Sequence, residues 1–134
     1  MSVFSLKFGS TEMVQKLAPL LQQGEELTAA VFCSLQHSTP LTVSSVFLCY
    51  LGITDRHRLI GCEFSLFGEK PFAVHLQDVT KLCIKTGILN QYVFRLESEY
   101  LTLNCRIGRD AGKKFPDQSE SLDRIISILE QYQR

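Results

Sequence analysis

Two stretches decide the fold class: Tyr100-Leu-Thr-Leu-Asn-Cys-Arg-Ile107 and, after a short polar connection, Asp117-Gln-Ser-Glu-Ser-Leu-Asp-Arg-Ile-Ile-Ser-Ile-Leu-Glu-Gln-Tyr132. In the first, Leu101, Leu103, Cys105 and Ile107 point one way and Tyr100, Thr102, Asn104 and Arg106 the other. That period of two is the pattern of a half-buried strand. In the second, Leu122, Ile125, Ile126, Leu129 and Tyr132 fall on one stripe at helical spacing. Asp117 followed by Glu120 reads as a capping box at its start. A lone amphipathic helix at the end of a β-rich chain needs a surface for its stripe, and the open end of a barrel offers one.

The chain upstream of this pair is written almost entirely in period two. Leu27, Ala29, Val31, Cys33 and Leu35 share one face of a first strand, and the loop His37-Ser-Thr-Pro40 turns it. A second strand runs from Val43 to Ile53, apolar on both faces in its second half. The polar connection Thr54-Asp55-Arg56-His57 leads to a third, Arg58 to Phe67. Gly68-Glu-Lys-Pro71 reads as a turn before a short fourth strand carrying Phe72, Val74 and Leu76. Val79 to Thr86 and Tyr92 to Leu96 supply the fifth and sixth strands, and Leu101 to Ile107 the seventh. Short strands at this spacing favour a sandwich or barrel. The expected fold is therefore mainly β, a seven-stranded antiparallel barrel or sandwich capped by a C-terminal α-helix, with a short extra helix at the N-terminus. That extra helix is expected over Met13, Val14, Leu17 and Leu21, capped by Ser10, broken at Pro19 and ended by Gly24. Residues 1–24 thus form a helical extension and residues 25–134 the β domain.

Composition narrows the function. Lys plus Arg and Asp plus Glu number 14 each, so the chain has no long-range field to draw it onto nucleic acid, and no nucleic-acid partner is expected. The longest near-apolar run, Val46 to Ile53, is too short to span a bilayer as a helix, so no transmembrane segment is expected, and no signal peptide is read at the N-terminus. The five cysteines are odd in number and widely spaced, which suits neither a disulfide framework nor a zinc site. They read as small core hydrophobes in a reducing cytoplasm. No metal site and no cofactor are expected: His37, His57 and His75 lack ligand spacing, and no glycine-rich phosphate loop is present.

The segment Tyr50-Leu-Gly-Ile-Thr-Asp-Arg-His-Arg-Leu-Ile60 resembles the strand–turn–strand of bacterial pleckstrin-homology (PH) domains and the related GRAM domains. Leu76-Gln-Asp-Val79 is similar to their step into a second sheet, and Phe115-Pro116 to the approach to their final helix. The resemblance covers residues 25 to 133, and the order of four strands, three strands and one helix agrees with it. It implies a PH-like binding scaffold rather than a catalyst. Phosphoinositide-binding relatives carry basic residues on the first two strands, whereas Leu27 to Ile53 holds no Lys or Arg. The usual phosphoinositide site is therefore expected to be absent, because such sites hold phosphate through Lys and Arg.

One local charge feature stands out. Arg106, Arg109, Lys113 and Lys114 cluster around the connection before the last helix, offset by Asp110. As a site they would take an anion or an acidic partner near a helix N-terminus; as a plain loop they are solvated charges. The leading expectation is a cytoplasmic, non-enzymatic module that binds an unknown protein through a sheet edge or the groove beside the C-terminal helix. Peripheral binding to anionic lipid through residues 106–114 is the alternative, and a small Cys–His enzyme a third reading. The N-terminal helix also admits a homodimer, if it packs on a second copy rather than on its own barrel.

Overall fold

The computed structural model describes residues 11–39, 42–43, 47–65, 68–87, 91–99, 101–109 and 117–133. In chain order these form helix α1 (Thr11–Leu17), a 3-10 turn (Ala18–Leu20), β1 (Leu27–Thr39), β2 (Thr42–Val43), β3 (Phe47–Thr54), β4 (Arg58–Ser65), β5 (Gly68–His75), a second 3-10 turn (Leu76–Asp78), β6 (Lys81–Thr86), β7 (Tyr92–Glu97), β8 (Thr102–Ile107) and helix α2 (Ser119–Glu130). Seven strands lie in one antiparallel sheet in the order β5-β4-β3-β1-β8-β7-β6, and the two-residue β2 pairs with the end of β1. This is the mainly β fold with a C-terminal and a short N-terminal helix that the alternation implies.

Strand β1 belongs to both halves of the sheet. It pairs with β3 over Leu27 to Leu35 and with β8 over Ser34 to Ser38, so its 13 residues form the hinge about which the sheet folds over its core. The inner face carries Ala29, Val31, Cys33 and Leu35 of β1, Cys49, Leu51 and Ile53 of β3, and Leu103, Cys105 and Ile107 of β8, all buried. Leu122, Ile125, Ile126 and Leu129 of α2 complete that core, as the helical stripe requires.

The outer face of β3 and β4 is also covered from Tyr50 onward, while Leu48 at the start of β3 stays exposed, which explains why the second half of β3 is apolar on both sides. Met13 and Leu17 of α1 are fully buried, and Ile60, Cys62 and Tyr50 beneath that helix are buried with them. Gly52 makes the approach possible: a Cβ there would lie 2.7 Å from Leu27 Cδ1 and 3.1 Å from Leu17 Cδ1. Phe32, Tyr50 and Phe64 continue the cover as an edge-to-face row, with centroids 5.7 and 4.8 Å apart. The apolar stripe of α1 is thus packed within its own protomer. The break expected at Pro19 falls in the 3-10 turn, and Gly24 ends the segment at φ +77°.

Several boundaries differ from the sequence reading, among them the second strand, read from Val43 to Ile53 and described as β2 and β3. Gly68-Glu-Lys-Pro71 is not a turn: Gly68, at φ +119°, already pairs with Ser65, and β5 runs through Pro71 to His75. Leu76 N–H donates to His57 O at 3.0 Å, so by alternation the backbone of His75, Ala73 and Pro71 faces away from β4. Proline is tolerated there because its missing N–H falls on the free edge. Leu76 itself lies in the 3-10 turn, and His37 lies within β1 rather than in a loop. The capping box does not form. Asp117 accepts a hydrogen bond from Ser119 N–H at 3.0 Å, one position early, and Glu120 instead pairs with Arg124 at 3.5 Å. Ser10, the expected cap of the first helix, lies outside the described residues.

Two polar networks lock this arrangement. Glu25, buried beside the β3–β4 turn, accepts from Arg58 Nη1 at 2.5 Å, Thr54 Oγ1 at 2.6 Å and Gln22 N–H at 2.8 Å. Burial alone would raise its pKa, but these three donors hold it below the ordinary carboxylate range. At the other end of the core, the buried Gln118 side chain acts as a substitute strand. Its Oε1 accepts from Phe32 N–H at 2.9 Å, while Nε2 donates to Phe32 O at 2.9 Å and Gly108 O at 2.8 Å. Phe32 lies beyond the stretch of β1 that pairs with β8, so Gln118 satisfies backbone groups that would otherwise be buried without partners.

Candidate binding edge

Strand β6 is the terminal strand on one side of the sheet, and among the described residues it pairs only with β7. Gly87 N–H donates to Gln91 O at 2.6 Å. Counting by twos back from that bond, the backbone groups of Lys81, Cys83 and Lys85 face β7, and those of Leu82, Ile84 and Thr86 face outward. The sequence Lys-Leu-Cys-Ile-Lys-Thr contains no proline, so every outward donor on this edge is intact. The opposite edge, β5, has Pro71 at its centre and lacks a donor there. A groove of about 670 Å³, lined by Ala73, His75, Asp78, Thr80, Ser98 and Glu99 among others, lies at the end where β5 and β6 come nearest in sequence.

The outer face beside β6 is cationic. Lys81, Lys85, Arg95 and Arg106 are exposed. Register sets Lys85 opposite Val93 and Val93 opposite Arg106, so two cations share one row across three strands. Cys83 lies opposite Arg95, whose Nη1 donates to Asn104 Oδ1 at 3.1 Å. The row through Lys81 differs, because its partner is Glu97, which also lies 3.9 Å from Arg95. Neither Lys81 nor Lys85 makes an ion pair among the described residues. On the inner side Leu82 is fully buried and Ile84 half-buried.

The structure divides the basic group read from the sequence. Arg106 stands on the outer face of β8 within the cationic patch. Arg109 turns to α2, pairing with Asp123 at 3.1 Å and lying 5.7 Å from the Tyr92 ring centroid. Lys113 and Lys114 lie outside the described residues. The patch members Lys81, Lys85 and Arg95 were missed in the sequence because they meet through pairing between separate strands. Their signal was present in Lys81-Leu-Cys-Ile-Lys85, where two cations alternate with two aliphatic residues.

Away from this edge the cysteines and His57 are largely built into the packing. All five cysteines are free, four of them buried and Cys83 half-buried. Cys33 and Cys105 lie with sulfurs 3.6 Å apart on the inner face. Hydrogen bonding to Cys105 raises the pKa of the Cys33 thiol, and hydrogen bonding to Cys33 raises that of Cys49, with burial adding to both. These thiols stay protonated, which is the unreactive form. His57, read from the sequence as part of a polar connection, is half-buried, with Nδ1 2.6 Å from Tyr132 Oη, and ties the β3–β4 turn to the end of α2. Its φ of 56° makes it the described non-glycine residue in the left-handed region. Among the described residues no cluster of three or more His, Cys, Asp and Glu side chains has the geometry to hold a metal, and no helix is long and apolar enough to cross a membrane. Comparison of the chain with protein-family models, curated proteins and solved structures finds no match.

Proposed function

We propose that this chain is a non-enzymatic, PH-like interaction module of a bacterial cytoplasm that binds an extended segment of a partner protein by adding it as a strand along β6. The observation that carries this reading is the open β6 edge, with its outward backbone groups at Leu82, Ile84 and Thr86 and no proline. Main-chain hydrogen bonds to such an edge supply affinity, and the flanking side chains supply selectivity. The strand order with a final helix supports the PH-like reading. Free, mostly buried thiols support a reducing compartment, and the raised pKa of Cys33 and Cys49 supports a binding role over Cys–His chemistry at those two residues.

Proline substitution at the two edges tests the reading. Peptides selected from a random displayed library for binding to the chain are measured against Thr86→Pro and Ala73→Pro, with circular dichroism as the check on folding. Each substitution removes one outward N–H from an exposed residue, on β6 and β5 respectively. Loss of binding of about tenfold or more in Thr86→Pro alone supports the β6 edge. Loss confined to Ala73→Pro moves the site to β5, and no loss in either variant ends the strand-addition reading.

A further inference from the structure

We infer that the segment received by β6 is acidic at its leading end, with the core pattern acidic–aliphatic–small–aliphatic read from N- to C-terminus. The inference rests on the β6 reading and names the chemistry of its partner. Every strand pair in this sheet is antiparallel, and an added strand is placed the same way. Its successive residues then lie opposite Lys85, Ile84, Cys83 and Lys81's inner neighbour Leu82. Side chains directly opposite in an antiparallel pair stand about 5 Å apart, near enough to select each other.

Three features fix the pattern. The first residue falls on the outer face in the row of Lys85, Val93 and Arg106, which holds two cations and no carboxylate. The second and fourth residues turn inward against Ile84 and Leu82, and an aliphatic side chain there covers the half-exposed Ile84. The third lies outward opposite Cys83, whose own partner on β7 is Arg95, and a small side chain there leaves the flanking lysines free to reach the first residue. At the far end carboxylates stand beside the lysine. Lys81 is matched by Glu97, and Asp78 and Glu99 line the groove beyond it. An acidic residue is therefore favoured opposite Lys85 and not opposite Lys81, which gives the edge a direction.

The same lysines guard the edge against wrong partners. A second copy pairing β6 to β6 antiparallel about its centre sets Lys81 near Lys85, a like-charge contact that disfavours self-association. An acidic strand meets the same charge as attraction, so one device both excludes and selects.

The probe is a fluorescein-labelled peptide, blocked at both ends, with the core Glu-Val-Thr-Val, and its binding to the full chain is measured by anisotropy. Controls are Lys-Val-Thr-Val, the reversed Val-Thr-Val-Glu of identical composition, and the first peptide N-methylated at both valines. The expected result is about fivefold tighter binding of the Glu-leading core than of the Lys core, a preference over the reversed core, and loss on N-methylation. In Lys85→Glu, which is exposed and leaves the fold intact, the Glu and Lys cores exchange rank. If all three unmethylated cores bind alike and N-methylation still abolishes binding, the edge stands and the acidic preference falls. If the Glu core binds and N-methylation has no effect, charge alone is responsible and the edge reading falls, taking this inference with it. Absence of binding by every core overturns both. Phosphatidylserine-containing vesicles that displace the peptide, where phosphatidylcholine vesicles do not, assign the patch to a membrane surface and overturn the peptide.

Discussion

The two halves of the sheet are built from similar alternating strands, yet only one is finished on both sides. Over β3 and β4 most of the outer face is covered by Met13 and Leu17 of α1 and by the row Phe32, Tyr50 and Phe64, with Leu48 left exposed. Over β6, β7 and β8 the outer face carries Lys85, Arg95 and Arg106 in the open, and the strand at its border keeps its hydrogen-bonding edge. Backbone donors and acceptors behave as obligatory groups, so on the proposed reading the intact β6 edge receives a strand, whereas the β5 edge is interrupted by Pro71. On that reading the first half carries stability and the second recognition, and substitutions in each can break that division.

The largest effect is expected in the closed half. Arg58→Ala leaves the Glu25 carboxylate buried without its guanidinium, and chemical denaturation should register a loss of about 3 kcal/mol or more. The same network carries a pH signature. Folded Glu25 releases its proton at lower pH than it does in the unfolded chain, where its value is 4.5. Its contribution is therefore fully present above that value and is lost as pH falls from about 4.5 through the depressed folded value. Denaturation midpoints across that window should fall less steeply in Glu25→Gln than in the parent; equal slopes would remove Glu25 as the source.

Leu17→Ala should cost about 3 kcal/mol, through the cavity it opens between α1 and the sheet over Gly52. A loss below about 1 kcal/mol would mean that α1 is a loose attachment and that the first half is not closed by it. Gln118→Ala follows at about 2 kcal/mol, because it strands the N–H and C=O of Phe32 and the C=O of Gly108. Lys85→Glu should change stability by no more than about 0.5 kcal/mol while inverting peptide preference. A large destabilisation there would show that the open half depends on its charges for folding and would erase the contrast.

Much of the fold was legible in the sequence because its determinants are local. Period-two alternation in Leu101 to Ile107 and in Leu27 to Leu35 gave strands where they occur, and the stripe from Leu122 to Leu129 gave α2. What escaped depends on partners distant in the chain. Pro71 reads as a turn residue unless it is known to sit on an outer edge, and Asp117 reads as a cap unless Gln118 is seen to be occupied by Phe32. Leu17 and Gly52 declare their contact only when α1 is laid on β3. Of the basic cluster, Arg106 belongs to the exposed face, while Arg109 is drawn aside by Asp123. Lys81, Lys85 and Arg95 form one surface only through the register of β6 on β7, which no single segment encodes.

Amide hydrogen exchange on β6 tests the division most directly. Measured by NMR on the full chain with and without the Glu-Val-Thr-Val peptide, the outward amides of Leu82, Ile84 and Thr86 should exchange faster than those of Cys83 and Lys85 in the free protein. They should become protected when the peptide binds, with the amides of β5 unchanged. Protection of the outward β6 amides already present in the free chain, or peptide-induced protection appearing on β5 instead, would contradict the account.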